Sequence, residues 1–276
     1  MLENKINTAI RILKIAEKQA AEYNEPVEIA YSGGKDSDVL LALAKMSNIN
    51  YIAYYKNTTI DPKGTLQHCK ENNVTIIKPK YSFFELIKKH GFVSRLRRFC
   101  CSFLKEYKVL NVAAIGVRAD ESTARAKRYT NFESCRVFSA TEKVKQYYPL
   151  YDWTLTDVKN FILKYNIKLA PYYYVNGVID FSRRLGCIGC PLQSDNGKKD
   201  LKDNPAVLRG ILRAGQIYFD THPESHFVKK MCNGNSYNGF AYSYFYTDYN
   251  QFLLDSTSGL FEKPDFEKLI FDYFNI

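Results

Sequence analysis

The chain has 276 residues, 46% of them hydrophobic, enough to bury a substantial core in one large domain or in a domain with an appendage. No run of about eighteen apolar residues occurs, which excludes a membrane-spanning helix. Thirty-nine basic against 29 acidic residues leave a net charge of +10, which favours a polyanionic partner such as a nucleotide or a nucleic acid.

From Met1 to Tyr23 the apolar residues Leu2, Ile6, Ala9, Ile10, Leu13 and Ala20 alternate with lysine and glutamate, the spacing of an amphipathic surface helix rather than of a secretion signal. Val27-Glu28-Ile29-Ala30-Tyr31 then reads as a buried strand and Asp38 to Met46 as an amphipathic helix. The turn between them is Ser32-Gly33-Gly34-Lys35-Asp36-Ser37. Its paired glycines reach backbone conformations closed to other residues and let a ligand come close. Ser37 falls near a helix N-terminus, where free N–H groups and the helix dipole favour a phosphate. No glycine stands five residues before Lys35, so this is not the Walker A loop.

Asn50 to Tyr55 reads as a second strand, Lys63 to Asn73 as a helix, Val74 to Pro79 as a third strand, Tyr81 to Lys89 as a helix and Val109 to Val117 as a strongly buried strand. This alternation predicts an α/β fold, a doubly wound, mostly parallel sheet with helices on both faces. Ligands of such sheets gather beyond the carboxyl ends of the strands. Three segments qualify: the glycine turn, Asn57-Thr58-Thr59-Ile60-Asp61 and Arg118-Ala119-Asp120-Glu121-Ser122. Thr154 to Tyr165 opens with a capping-box pattern and continues as a packed helix, and Asp203-Asn204-Pro205 starts another. Beyond Cys232 the chain is aromatic and aperiodic, ending in a short apolar helix near Phe266 to Phe274. The expected division is a nucleotide-binding domain with a cysteine cluster over 1–195 and a mainly helical, aromatic extension over 196–276. The tyrosines of Ser236 to Tyr249 are expected to pack rather than to stack on nucleobases.

Seven cysteines, an odd count without a signal peptide, argue against a disulfide framework and for thiols in a reducing cytoplasm. Cys100-Cys101 and Cys187-Ile188-Gly189-Cys190 supply four thiolates, the number that zinc or a 4Fe-4S cluster needs, and spacing does not choose between the two. Cys69 and Cys135 read as buried small residues.

The glycine turn resembles the PP-loop of the adenine nucleotide alpha-hydrolase superfamily, which includes ATP pyrophosphatases and the phosphoadenosine phosphosulfate (PAPS) reductases. The vicinal pair followed after about eighty residues by Cys-x-x-Cys is similar to the cluster-binding pattern of the adenylyl sulfate (APS) reductase branch and of related PP-loop proteins of DNA phosphorothioation. Gly116-Val117-Arg118-Ala119-Asp120-Glu121-Ser122 with Arg125, Pro149-Leu150 with Trp153 and Asp157-Val158, and Arg184-Leu185-Gly186-Cys187 continue the likeness in family order from Pro26 to Leu192. The resemblance implies a 4Fe-4S cluster on Cys100, Cys101, Cys187 and Cys190 beside an adenine nucleotide. Arg118 and Arg125 suit bidentate anion clamps.

The resemblance breaks at the C-terminal Glu-Cys-Gly-(Leu/Ile)-His segment that carries the reductase nucleophile. No such segment is present, and Cys232 in Lys230-Met231-Cys232-Asn233-Gly234 is the only cysteine downstream of Cys190. Two enzymatic expectations follow. In the first, the chain is an ATP pyrophosphatase: an acceptor, a nucleic acid before a sulfur-carrier protein, is adenylated for sulfur transfer, with Lys35 stabilising developing charge, Asp36 holding magnesium and Arg118 clamping an anion. In the second, the chain reduces APS or PAPS with Cys232 as nucleophile. A third expectation is a nucleotide-sensing subunit without turnover. A homo-oligomer is compatible with all three, and none involves a membrane.

Overall fold

The computed structural model describes residues 2–128, 131–138 and 142–225. In chain order the elements are α1 (Leu2–Ala21), β1 (Val27–Tyr31), α2 (Lys35–Ser47), β2 (Tyr51–Lys56), α3 (Thr65–Glu71), β3 (Thr75–Ile77), α4 (Phe83–His90), α5 (Phe99–Leu104), β4 (Val112–Ile115) and α6 (Thr123–Arg128). They continue with β5 (Glu133–Val137), β6 (Lys143–Tyr147), α7 (Leu155–Lys164), β7 (Tyr174–Val175), β8 (Val178–Ile179), α8 (Lys198–Asp203) and α9 (Pro205–Thr221). The described residues fold as two compact units, the first of 2–79 with 103–186 and the second of 80–102 with 187–225.

In the first unit six strands form one sheet in the order β3-β2-β1-β4-β6-β5, parallel throughout except for the antiparallel edge pair β5 and β6. The order reverses between β1 and β4, so the chain segments leaving these neighbours diverge and leave a crevice at their carboxyl ends. Side chains alternate between the faces of a strand. Val27, Ile29 and Tyr31 of β1, with Ala53, Tyr55, Val112, Ala114 and Tyr147, therefore share one face, where they join a core with Leu13, Leu40, Leu43, Trp153 and Phe161. Each fully buried Leu or Phe there contributes about 1.5–3 kcal/mol, and α1, α2 and α7 supply that cover. The opposite face carries Glu28, Ala30, Tyr54, Lys56, Ala113, Ile115, Val144 and Gln146, which is a far more polar set.

In the second unit α4 packs against α9. A Cβ at Gly210 would meet the Phe84 ring at 2.7 Å, so the glycine lets the helices approach closely. Arg95 ties the Cys-x-x-Cys segment down, donating from Nε to Pro191 O and from Nη2 to Gln193 O at 3.0 and 2.6 Å.

The mostly parallel α/β sheet with helices, and helices beyond residue 198, agree with the sequence pattern. Four local features differ. Helix α2 begins at Lys35, not Asp38, which puts Lys35, Asp36 and Ser37 in its first turn. Strand β4 is four residues long because Val109–Asn111 and Gly116–Val117 lie outside the ladder. The β5–β6 hairpin has no hydrophobic alternation to announce it, since β5 is a mostly exposed edge strand. For the same reason Cys135, expected to be buried, is exposed, whereas Cys69 is buried as expected. The calls on Cys232, Ser236 to Tyr249 and Phe266 to Phe274 lie outside the described residues.

Candidate functional site

Gly33 sits at φ +75°, a left-handed conformation that lets the chain leave β1 and turn directly into α2. Gly34 follows as the N-cap with no capping side chain. The first intrahelical bond is Asp38 N–H to Gly34 O at 3.0 Å, which leaves the N–H groups ahead of it to other partners. One of them is already held: the Tyr173 hydroxyl accepts from Lys35 N–H at 3.0 Å. A Cβ at Gly116 would stand 3.0 Å from Asp36 O, so the end of β4 reaches the first turn of α2 only as glycine. Ser37 Oγ donates to Gly34 O at 2.7 Å.

Lys35 is 4% exposed and donates from Nζ to Arg183 O at 3.0 Å. Burial holds its ammonium below the ordinary lysine range, opposed by Asp36 and reinforced by Arg118 and Arg184. Around it lies a lattice of alternating charge. Arg118, buried, donates from Nε to Asp36 Oδ1 at 2.5 Å and from Nη1 to Asp120 Oδ2 at 3.1 Å. Asp120 Oδ2 also accepts the Leu155 N–H at 3.0 Å. Glu121 pairs with both Arg125 and Arg184. Both expected anion clamps thus stand in carboxylate pairs, which fix their direction.

Behind the turn Asp38 is 3% exposed; its Oδ1 accepts from the Tyr31 hydroxyl and lies 2.9 Å from His68 Nε2, while its Oδ2 has no partner. Burial raises the Asp38 carboxyl above its ordinary value, with His68 and Tyr31 opposing. Nothing in the sequence pointed to this trio, because its members are 37 residues apart at the extremes and meet only through β1, α2 and α3.

The turn opens on a cavity of about 390 Å³. Ser32, Gly34, Lys35, Asp36, Ser37, Glu121 and Arg125 line it, together with Tyr173 and Arg184. Gly33, Asn57, Thr58, Arg118 and Ser122, also expected at the site, are not among its lining residues. Asn57 Oδ1 accepts from Thr59 N–H at 2.8 Å, and Thr58 is buried with its hydroxyl unpartnered, while Asp61 from the same segment does reach the cavity. The polar sheet face forms the rest of the lining, including Glu28, Lys56 and Gln146, which sequence reasoning missed. A carboxylate in the middle of an otherwise apolar strand was the available signal for Glu28.

The four expected metal ligands all belong to the second unit. Cys100 and Cys101 lie on α5, and Cys187 and Cys190 flank a turn closed by Cys190 N–H to Cys187 O at 3.3 Å. The Cys100 thiol is pushed far up by its hydrogen bond with Cys101, then by burial, then by the charges of Cys101, Cys187 and Cys190. Four soft sulfur donors, three of which oppose ionisation of Cys100, suit a cationic centre that would relieve that repulsion. Among the described residues no three His, Cys, Asp or Glu side chains stand ready-made around one metal position, so the donor set fits in type and neighbourhood rather than in finished geometry.

The sheet order, the glycine turn into α2 and the cavity it opens on define a PP-loop α/β protein. The chain belongs to the phosphoadenosine phosphosulfate reductase domain family, whose model matches residues 26–193, and is of an enzyme family whose substrates are adenine nucleotides. It is similar to the uncharacterized proteins MJ0973 and MJ0066 of Methanocaldococcus jannaschii. Identity to the first is 28% over 197 residues, covering 66% of this chain and 46% of the relative. Identity to the second is 27% over 187 residues, covering 60% and 36%. The chain therefore spans less than half the length of these relatives. Among solved structures it is similar to the phosphoadenylyl-sulfate reductase of Candida auris in its phosphate complex, with 17% identity, 67% of this chain and 93% of that one covered, and a TM-score of 0.46. It is similar also to the U34-tRNA thiolase NcsA of Methanococcus maripaludis with its [4Fe-4S] cluster, with 17% identity, 83% and 84% covered, and a TM-score of 0.41. No helix among the described residues is long and apolar enough to cross a membrane.

Proposed function

We propose that this chain is an ATP pyrophosphatase that adenylates an acceptor, a nucleic acid, for sulfur transfer. The observation that carries this reading is the first turn of α2, with Gly33 at φ +75° and the buried Lys35, facing a cavity built in a single unit. A helix N-terminus and a desolvated ammonium together favour the negative charge that grows on departing pyrophosphate. In the reaction an acceptor oxygen bonds to the α-phosphorus of ATP, the bond from that phosphorus to the α,β-bridging oxygen breaks, and pyrophosphate leaves. Lys35 and the α2 N–H groups meet the phosphate chain. Asp36, with Arg118 on Oδ1 and the Lys35 ammonium 4.0 Å from Oδ2, positions these two cations, and magnesium arrives on the phosphates of ATP. The net charge of +10 suits a polyanionic acceptor.

Cys100, Cys101, Cys187 and Cys190 are assigned to a 4Fe-4S cluster, which when bound supplies an iron-sulfide centre for the sulfur chemistry. The reading is tested with anaerobically purified protein, given ATP with bulk RNA or DNA in one arm and APS with a thiol reductant in the other. Pyrophosphate from the first arm, with radiolabelled AMP on the nucleic acid, is expected. Sulfite from the second arm, abolished by Cys232→Ser, would make the protein a reductase, and tight ATP binding without either product would make it a sensing subunit. Iron and zinc analysis of the same sample separates the cluster from a zinc site.

A further inference from the structure

The cavity does not end at the phosphate-binding turn. It runs back along the polar face of the sheet to Glu28 of β1, four residues before Ser32 at the start of the turn, a distance of roughly 13 Å at the rise of a β-strand. Its floor between these ends is small: Ala30 and Ala113 line it. Glu28 and Gln146 stand on either side of Ala113 in one row of the ladder, about 10 Å apart across two strand spacings. Tyr54, Tyr107 and Phe138 add three aromatic rings to this half.

A carboxylate and an amide on central strands of a parallel sheet are costly where apolar side chains are usual. Glu28 is 3% exposed, and its Oε2 accepts from Leu110 N–H at 3.2 Å. Its Oε1 faces the Lys56 ammonium at 3.8 Å, beyond hydrogen-bond reach. Two of that ammonium's three protons go elsewhere, to Tyr107 O at 2.6 Å and Lys105 O at 3.3 Å, and it lies 4.5 Å over the Tyr107 ring. The floor of the cavity thus offers an acceptor oxygen and no donor bonded to it. A ribose and a planar base leaving an α-phosphate held at the turn would run along this floor toward the oxygen.

We infer that Glu28 selects the base of the bound nucleotide, its Oε1 accepting a hydrogen bond from an exocyclic amine, so that amino-substituted bases such as adenine are taken in preference to their keto counterparts. This inference rests on the ATP reading above and adds to it the residue that sets base specificity. A keto oxygen in the same place would face a buried carboxylate acceptor-to-acceptor and leave both unpaired. The expected discrimination is about 10- to 100-fold in affinity, the range of one buried unmatched polar contact. Burial raises the Glu28 carboxyl, opposed by Lys56 and the Leu110 N–H, so the comparison is run over a pH series, the ATP preference growing as the carboxyl ionises.

The test is equilibrium dialysis of the intact chain with ATP and with ITP, which differ in the 6-amino against the 6-oxo group and in the N1 proton that accompanies the oxo form, in wild type and in the isosteric Glu28→Gln. Wild type is expected to bind ATP about 10- to 100-fold more tightly than ITP, and Glu28→Gln to bring the two within about threefold, since an amide presents either a donor or an acceptor. Equal affinities in wild type overturn the inference, as does a full ATP preference retained by Glu28→Gln with ATP still bound. Should Glu28→Gln fail to fold, seen as loss of cooperative urea unfolding, the wild-type comparison decides alone. Binding of neither nucleotide is a different result: it removes the ATP reading and this inference along with it.

Discussion

Replacing Gly33 by alanine separates two forces that shape the turn. The new Cβ would first have to accept φ +75°, a left-handed conformation that costs about 1–2 kcal/mol for a residue with a side chain. It would also stand 2.9 Å from Cγ2 of Thr65, a fully buried residue whose hydroxyl donates to Pro62 O at 2.8 Å. That overlap adds about 1–2 kcal/mol. Gly33→Ala should therefore destabilise the protein by about 2–4 kcal/mol. Thr65→Ser removes the colliding methyl and keeps the hydroxyl, so in that background Gly33→Ala should cost only the conformational part, about 1–2 kcal/mol. Urea unfolding of wild type, both single variants and the double variant closes the cycle, with a coupling of about 1–2 kcal/mol in the sense of relief. Equal losses in the two backgrounds would show that the methyl does not press on residue 33, and the account of the turn would be wrong.

If the proposed reaction holds, Lys35→Met should lower ATP-dependent pyrophosphate release by at least about 100-fold, since it deletes the cation assigned to the departing pyrophosphate. Stability should hold or rise at neutral pH, because the folded-state pKa of Lys35 is lowered by burial and its charged form is a burden below that value, relieved as pH rises through it toward 10.5. A variant that turns over normally refutes the role. Thr154→Ala removes an N-cap hydroxyl that accepts from Asp157 N–H at 3.2 Å and donates to Asp157 Oδ2 at 2.7 Å, and should cost about 1 kcal/mol in urea unfolding with ATP affinity unchanged. Glu28 has a folded pKa raised above 4.5, chiefly by burial, so the advantage of wild type over Glu28→Gln should be greatest below that value and fade as pH rises through the folded pKa. Unfolding midpoints of the two proteins from about pH 4 to about pH 8 measure it, and a widening gap would contradict the sign.

Much of the frame was written locally. The run Val27 to Tyr31, the glycine pair and the amphipathic segment after it specify strand, turn and helix from nearest-neighbour chemistry, and Thr154 with Asp157 form the capping box their spacing announces. Periodicity works there because one face of each element is buried by a shared core. It fails for β5, where an exposed edge strand needs no alternation, and for the start of α2, because Gly34 caps without a side chain and polar residues fill the first turn. What the tertiary structure alone decided is pairing and enclosure. Arg118 was legible as a cation with Asp120 two residues on, but not that Asp36 would hold it, since that carboxylate reaches it only when β4 lies beside β1. Tyr173, 138 residues from Lys35, caps the turn from a distant segment. Glu28 was legible as a carboxylate in an apolar strand, but the cavity it faces exists only once β2 and β4 flank β1. Chain-local preferences choose the elements, while the direction a polar group faces depends on which strands become neighbours, and that is a property of the whole packed sheet.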